Sequence, residues 1–258
     1  MARYSSPRST LPVITLYDSP GTRSQTWVPA IWRIRFILNY KHLPYRTVWV
    51  EFPDVETTLR AIGAPPSSWR SDGRPIYTLP AIIDPTQNPQ APQILSNTNV
   101  IAEYLEANYP ARPVFPEGSR ALQVLFVHYL QEIFVKPLLP IMVPVSYDRL
   151  PERTQTHFHG AMSTPSHPLP PGPKREHAWQ LVKMQFDFLA LVLDKNSDDG
   201  DGVGAQGHHV SYADFALCSM LLWIEQMAPQ DGWARIKEWN GGRWARLRQR
   251  CQDYMDVL

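Results

Sequence analysis

Two short stretches of this sequence carry residue types that can hold a small peptide-like ligand. The first is Tyr77-Thr78-Leu79-Pro80-Ala81-Ile82-Ile83-Asp84. Leu79, directly before a proline, is pushed to an extended conformation. At a sheet margin its N–H and C=O can pair with a ligand backbone, as an added strand does. The second is Leu95-Ser96-Asn97-Thr98. Amides and a hydroxyl at a helix start make a seat for a carboxylate. Taken alone, the same residues describe a strand pair leading into a capped helix, so the surrounding elements must decide.

Other chemical candidates carry less. His157-Phe158-His159 and His208-His209 lie in polar loops, beside no Cys, Asp or Glu at ligand spacing, and no metal site is expected. The two cysteines, Cys218 and Cys251, have no dithiol or metal spacing and read as small buried side chains. Gly200-Asp201-Gly202-Val203-Gly204 follows no strand, so it reads as a loop and not a phosphate cradle.

Composition narrows the partners. A chain of 258 residues suits two modest domains or one large one. A formal charge of +1 gives no electrostatic reason to expect nucleic acid or an anionic membrane. No apolar run reaches the roughly 18 residues of a spanning helix. Arg3 and Arg8 are followed by no apolar block, so no secretory signal is expected, and a reducing, cytoplasmic setting fits best.

The elements that must position the two stretches follow in order. Residues 13–17 read as a buried strand. Residues 18–29 form a loop long enough to be functional. Pro29 fits the first turn of a helix, in which Ile31, Ile34 and Leu38 recur at helical spacing. Arg33 and Arg35 are expected toward solvent or the helix flank. Residues 45–52 are the strongest strand, and strand–helix–strand implies a parallel pair. Asp54 is placed to cap a short helix that Gly63 ends. A polar connector at 64–74 leads to strands at 79–83 and 93–95 and a helix at 98–108. This β-α-β-α-β-β-α order is thioredoxin-like, a four-stranded mixed sheet flanked by helices.

The remainder shows no strand pattern. Pro110, Pro113 and Pro116 mark 109–118 as a linker. Leu122, Leu125, Phe126, Tyr129, Leu130, Ile133 and Phe134 keep the spacing of a long amphipathic helix, bent or ended at Pro137 and Pro140. Residues 149–173 read as an exposed excursion, and 176–193 as helix. Ser211 and Asp214 form a capping box, with Val210 and Phe215 placed to staple across it. The run 216–224 is apolar nearly all round, which marks a helix buried on every side. Shorter helices at 233–239 and 243–255 finish the chain. The expected division is a mobile arm (1–11), an α/β thioredoxin-like domain (12–108), the linker, and an all-α domain (119–258).

A thioredoxin-like half, a proline-rich linker and a helical half with a Ser-x-x-Asp-capped central helix resemble a soluble glutathione transferase. Trp27-Val28-Pro29-Ala30-Ile31-Trp32-Arg33-Ile34-Arg35 and Leu38-Asn39-Tyr40-Lys41-His42-Leu43-Pro44-Tyr45 look like the fungal FuA class, which is related to bacterial glutathione-dependent lignin β-etherases. Trp49-Val50-Glu51-Phe52-Pro53-Asp54 fits the same class. The resemblance implies a glutathione site at Val28, Leu79, Pro80, Asn97 and Thr98. Leu79 would pair its backbone with the cysteinyl unit, and Pro80 would be the family's cis proline. Thr98 would hold the γ-glutamyl carboxylate. Asn97 stands where the family has an acidic residue, and would accept from the γ-glutamyl ammonium without the charge that makes such bonds strong. An aromatic or phenolic molecule is implied in the interdomain cleft, against Tyr17, Trp27, Phe126, Tyr129 and Phe134. A homodimer is usual for such proteins.

One departure bears on chemistry. The related class commonly has a serine between Trp27 and Pro29, donating to the glutathione sulfur; here it is Val28, and the usual Asn is Ala30. Ser19, Thr22, Ser24 and Thr26 in the loop, and Tyr17 at the strand end, are candidate replacement donors. The expectation is therefore either a transferase with a weakened or rearranged thiol-activating site, or a non-catalytic ligandin-like protein that sequesters aromatic molecules.

Overall fold

The fold is built outward from β1 (Ile14–Asp18), a strand with every residue buried. The structure is a computed structural model that describes residues 12–21, 26–159, 167–196 and 202–258. The expected arm at 1–11, Thr22, Ser24, and Gly200 and Asp201 of the glycine-rich loop lie outside the described residues. A strand buried on both faces needs cover on both, and the flanking segments supply it. α1 (Pro29–Tyr40) follows. β2 (Tyr45–Trp49) then pairs parallel to β1, Ile14 opposite Tyr45. After α2 (Val55–Ala61) comes a hairpin of two-residue strands, β3 (Ser68–Trp69) with β4 (Pro75–Ile76). β5 (Ala81–Asp84) joins β1 antiparallel, Leu16 opposite Ile82, and β6 (Gln93–Ser96) extends from β5. The sheet order is β2-β1-β5-β6, and α3 (Thr98–Asn108) completes this half. This is the expected thioredoxin-like arrangement.

Strand alternation assigns the two faces. Ile14 and Leu16 join the main core with α1 and α3. Tyr17 faces the other way, into a smaller cluster with Val50, Val55, Leu59 and Ala81 under α2.

The second half is helical. α4 (Arg120–Tyr129) runs into a π turn at Leu130–Phe134, and α5 (Leu139–Tyr147) leaves at 82°. The break spans Pro137, with Pro140 in the first turn of α5. Then follow α6 (Glu152–His159), α7 (Pro173–Leu193), α8 (Tyr212–Met227), α9 (Ala234–Ile236) and α10 (Arg243–Arg250). The capping box of α8 is present: Asp214 Oδ2 accepts from the Ser211 amide at 2.9 Å and the Ser211 hydroxyl at 2.8 Å. Every residue from Tyr212 to Ile224 is buried. Phe36 of α1 stacks on Phe215 of α8 at 5.1 Å, which joins the two halves into one core.

The proline-rich segment between the halves is a clamp. Lys41 Nζ meets Glu106 Oε2 at 2.7 Å and donates to the Tyr109 and Arg112 carbonyls. Glu106 also accepts from the Val114 and Phe115 amides at 3.1 Å. Among the described residues no single helix is long and apolar enough to cross a membrane; only the bent pair of α4 and α5 passes by length and composition.

Three local expectations are corrected. β2 ends at Trp49 because Phe52–Asp54 turn into a 3-10 helix. Asp54 makes no cap; its carboxylate turns to Arg153, with Oδ1 accepting from Nη2 at 2.7 Å. Arg33 and Arg35 are buried, 3% and 0% exposed, because α1 lies between the sheet and α8.

Candidate functional site

The start of α3 is built by Asn97. It adopts a left-handed φ of 71°, which Asn tolerates better than most residues. Its Oδ1 accepts from the Asn99 amide at 3.0 Å, and its backbone carbonyl from Ile101 at 3.0 Å. Its Nδ2 donates to the Ser67 carbonyl at 3.1 Å. Asn97 is thus a helix cap tied to the β3–β4 hairpin, and its acceptor oxygen is committed. The Thr98 amide, first of the helix, has no intrahelical acceptor.

Facing this helix start is the Leu79–Pro80 step, a cis peptide. Leu79 lies outside the β5 ladder, which begins at Ala81. Leu79, Asn97 and Thr98 line one cavity of about 320 Å³ with Ala30, Arg33 and Ser67. The structure therefore brings both sequence stretches to one place. Ser67 and Arg33 were not expected there. The hairpin that carries Ser67 is too short to show periodicity, and Arg33 reads as a solvent residue unless its burial is known.

Val28, which is not among the residues lining that cavity, caps α1 with extended backbone and no side-chain bond. Its carbonyl accepts from Ile31 at 3.1 Å and Trp32 at 3.0 Å. Pro29 has no N–H, so of the first-turn amides only that of Ala30 remains. The described candidate donors are buried or nearly so. Ser19 and Thr26 are each 1% exposed. Tyr17 sits in the cluster under α2, where burial pushes its phenol pKa up and the nearby Arg46 offsets this only in part.

Arg35 fixes α1 to the sheet. It donates to Asp18 at 2.7 Å, to the Tyr45 hydroxyl at 3.0 Å and to Thr47 at 3.1 Å.

The structure spreads the expected aromatic set over several places. Phe134 is fully buried and packs on Phe186 at 4.9 Å. Tyr129 donates to Gln185 of α7 and its ring lies 5.8 Å from Phe188. Phe126 lines a separate cavity of about 490 Å³ with Leu122 and Val192. The reason is the phase of α4: it buries Gln123 and Val127, so the Leu122–Leu125–Phe126 side turns toward α7 and outward. Trp27 is half-buried. Its ring lies 6.3 Å from Phe52, which meets Phe158 of α6 at 5.0 Å. Part of the 149–173 excursion thus docks over the first half. Among the described residues no group of three or more His, Cys, Asp or Glu converges as a metal-ligand set.

A thioredoxin-like sheet domain clamped to an all-helical domain, with a peptide-sized cavity at the cis-Pro80 step, defines the glutathione S-transferase architecture. Residues 27–108 match the model of the glutathione S-transferase N-terminal domain and 121–254 that of the C-terminal domain. The chain belongs to the glutathione S-transferase family. It is similar to the glutathione S-transferase CsGST63524 of Ceriporiopsis subvermispora, solved in complex with glutathione, with 34% identity, TM-score 0.85, and 95% and 99% of the two chains covered. It is likewise similar to GSTFuA3 from Phanerochaete chrysosporium, with 31% identity, TM-score 0.85, and 96% and 100% covered. The glutathione S-transferase-like protein ustS of Aspergillus flavus is 30% identical over 242 residues, 88% of this chain and 84% of that protein.

Proposed function

We propose that this protein binds glutathione in the cavity beside Leu79, Asn97 and Thr98, and a hydrophobic aromatic molecule next to it, with little power to ionise the thiol. The relative solved with glutathione supports the first part. So do the placement of Leu79 outside the β5 ladder and the amide and hydroxyl of Thr98 at the start of α3. Trp27, Phe52 and Phe158 supply the aromatic wall.

The observation that carries the chemical part is the start of α1. The nucleophile in such reactions is the thiolate. A thiol with a pKa near 8.5 is only a few per cent ionised at neutral pH, and lowering it by about two units makes most of it thiolate. Val28 has no donor for this, Pro29 has no amide, and the Ile31 and Trp32 amides are spent on the Val28 carbonyl. The Ala30 amide and the helix dipole are what remain. Conjugation or glutathione-dependent ether cleavage is therefore slow. The same vacancy favours a second reading, a non-catalytic, ligandin-like binder of aromatic or phenolic molecules.

The test is Val28→Ser, assayed with glutathione and a general chloronitrobenzene electrophile. The expected result is a rise in rate of about tenfold or more, with glutathione affinity unchanged. Fast wild-type turnover that Val28→Ser leaves alone and Ser19→Ala or Thr26→Val abolishes would overturn it.

Three further features complete the proposal. The halves divide at 109–118. Two copies pair through the exposed apolar face of α4, the π turn that follows it and α7, which carries Leu122, Leu125, Ile133, Met184, Phe188 and Leu191. The two cysteines are free and buried, which suits a reducing compartment, the cytoplasm.

A further inference from the structure

Arg33 and Arg35 stand on the same helix and are both buried, 3% and 0% exposed, yet only Arg35 has a counter-charge. Arg35 has Asp18, Tyr45 and Thr47. The Nε and Nη1 of Arg33 are buried without a hydrogen-bond partner. Among the described residues Arg33 forms no ion pair. The Tyr212 hydroxyl lies in hydrogen-bond reach of the Arg33 side chain and gives its own proton to Asn99 Oδ1 at 2.9 Å, but as a neutral phenol it brings no counter-charge. Glu103, on the adjoining face of α3, is taken by Arg120. An arginine cannot shed its charge, and an unpaired buried charge is costly. Buried groups left so need a reason, and an absent anion is one.

Arg33 also lines the cavity that holds Leu79, Thr98 and Gln131. It is the one charged residue among the described residues lining that cavity. The Thr98 amide and the positive end of α3 face the same space. A buried guanidinium and a helix N-terminus thus converge where no acidic side chain answers them.

We propose that Arg33 is a specificity-determining residue that receives the α-carboxylate of the ligand's γ-glutamyl unit and gains its counter-charge only when that ligand binds. This rests on the glutathione reading above. With the cysteinyl unit against Leu79, the γ-glutamyl arm is the one that reaches α3. The Asn97 oxygen is already spent on the helix, so charge recognition falls on the carboxylate end of that arm and not on its ammonium.

The experiment compares glutathione with 4-aminobutanoyl-cysteinylglycine, which lacks only that carboxylate. Affinities are measured by calorimetry for wild type and Arg33→Met. Wild type is expected to prefer glutathione by about tenfold to a hundredfold, the range of a charged hydrogen-bonded contact. Arg33→Met is expected to bind both ligands alike, at the level of the analogue. Without ligand it should melt no lower than wild type, since it removes an unpaired buried charge. If Arg33→Met does not fold, Arg33→Gln carries the same comparison. Equal binding of both ligands by wild type, or undiminished preference in the variant, overturns the role of Arg33 and leaves the glutathione reading standing. Wild type that binds neither ligand overturns the glutathione reading and this inference with it.

Discussion

The ring of Phe158 in α6 meets the ring of Phe52 edge-on, with centroids 5.0 Å apart. Beside it, Arg153 pairs with Asp54. Together they fasten a helix of the second half over the aromatic wall that Trp27 begins. An aromatic pair of this kind adds about 0.5–1.5 kcal/mol beyond burial. Phe158→Ala is therefore expected to weaken binding of a hydrophobic dye by roughly threefold to tenfold, with glutathione affinity unchanged. Quenching of protein fluorescence by the dye measures the first and calorimetry the second. Unaltered dye affinity would separate α6 from the aromatic site.

Asn97→Asp should change stability and affinity in opposite directions. One carboxylate oxygen keeps the α3 cap, because Asp and Asn cap about equally well. The other replaces the Nδ2 that donates to Ser67 at 3.1 Å, at a cost of about 1 kcal/mol. That oxygen is then a charged acceptor for the γ-glutamyl ammonium. Urea unfolding should show the loss, and calorimetry a several-fold gain in glutathione affinity. A variant with unchanged affinity would mean that the ammonium does not approach residue 97.

Asp84 sets an acid limit. It is wholly buried and accepts from the Thr86 amide at 2.9 Å, the Thr86 hydroxyl at 2.7 Å and the Tyr104 hydroxyl at 2.9 Å. Burial pushes its pKa up, but hydrogen bonds from Thr86, Tyr109 and Tyr104 outweigh burial and hold the carboxyl below its ordinary value. The folded pKa is below the unfolded one. The stabilisation is therefore present above about pH 4 and lost as pH falls through the folded value. Melting curves from about pH 7 down to about pH 2 should show this loss. Asp84→Asn should lower stability at neutral pH by about 1–3 kcal/mol and flatten the acid dependence. An equally steep acid slope in the variant would assign the effect to other carboxylates.

The apolar face of α4 and α7 predicts an assembly. Leu125 is 63% exposed and Phe188 51% exposed. A Leu125→Glu, Phe188→Glu double variant should run as a monomer in sedimentation experiments where wild type runs as a dimer. Its far-ultraviolet spectrum should be unchanged. A wild-type monomer, or a variant that remains dimeric, would rule this face out.

Much of the fold is legible in the sequence because it rests on local signals. Pro29, the Ser211–Asp214 box, and the breaks at Pro137 and Pro140 mark element ends within a few residues. The candidate site is legible only where local signals mark it. Leu79 and Thr98 announce themselves through a proline step and a helix start. Asn97 stands at a ligand position by resemblance, and an Asn before a helix also reads as its cap, which the structure shows. The partners of Arg35, Asp54 and Phe52 lie far along the chain, at Asp18, Arg153 and Phe158, and no periodicity carries that information. For α4, apolar residues on two faces left spacing unable to say which face is buried, and the side with Leu122 and Leu125 is the outer one.

The stacking of Phe36 on Phe215 has a bearing on how such a protein can diversify. The helix that Val28 caps is held by a helix from the other half, so neither half alone owns the proposed ligand site. A chimera that joins the first half of this chain to the second half of a relative should lose both compactness and glutathione affinity, unless α1 and α8 come from the same parent. Under the proposed reading, altering α6, which rests on Phe52 and Asp54, changes ligand preference with less disturbance than exchanging whole halves.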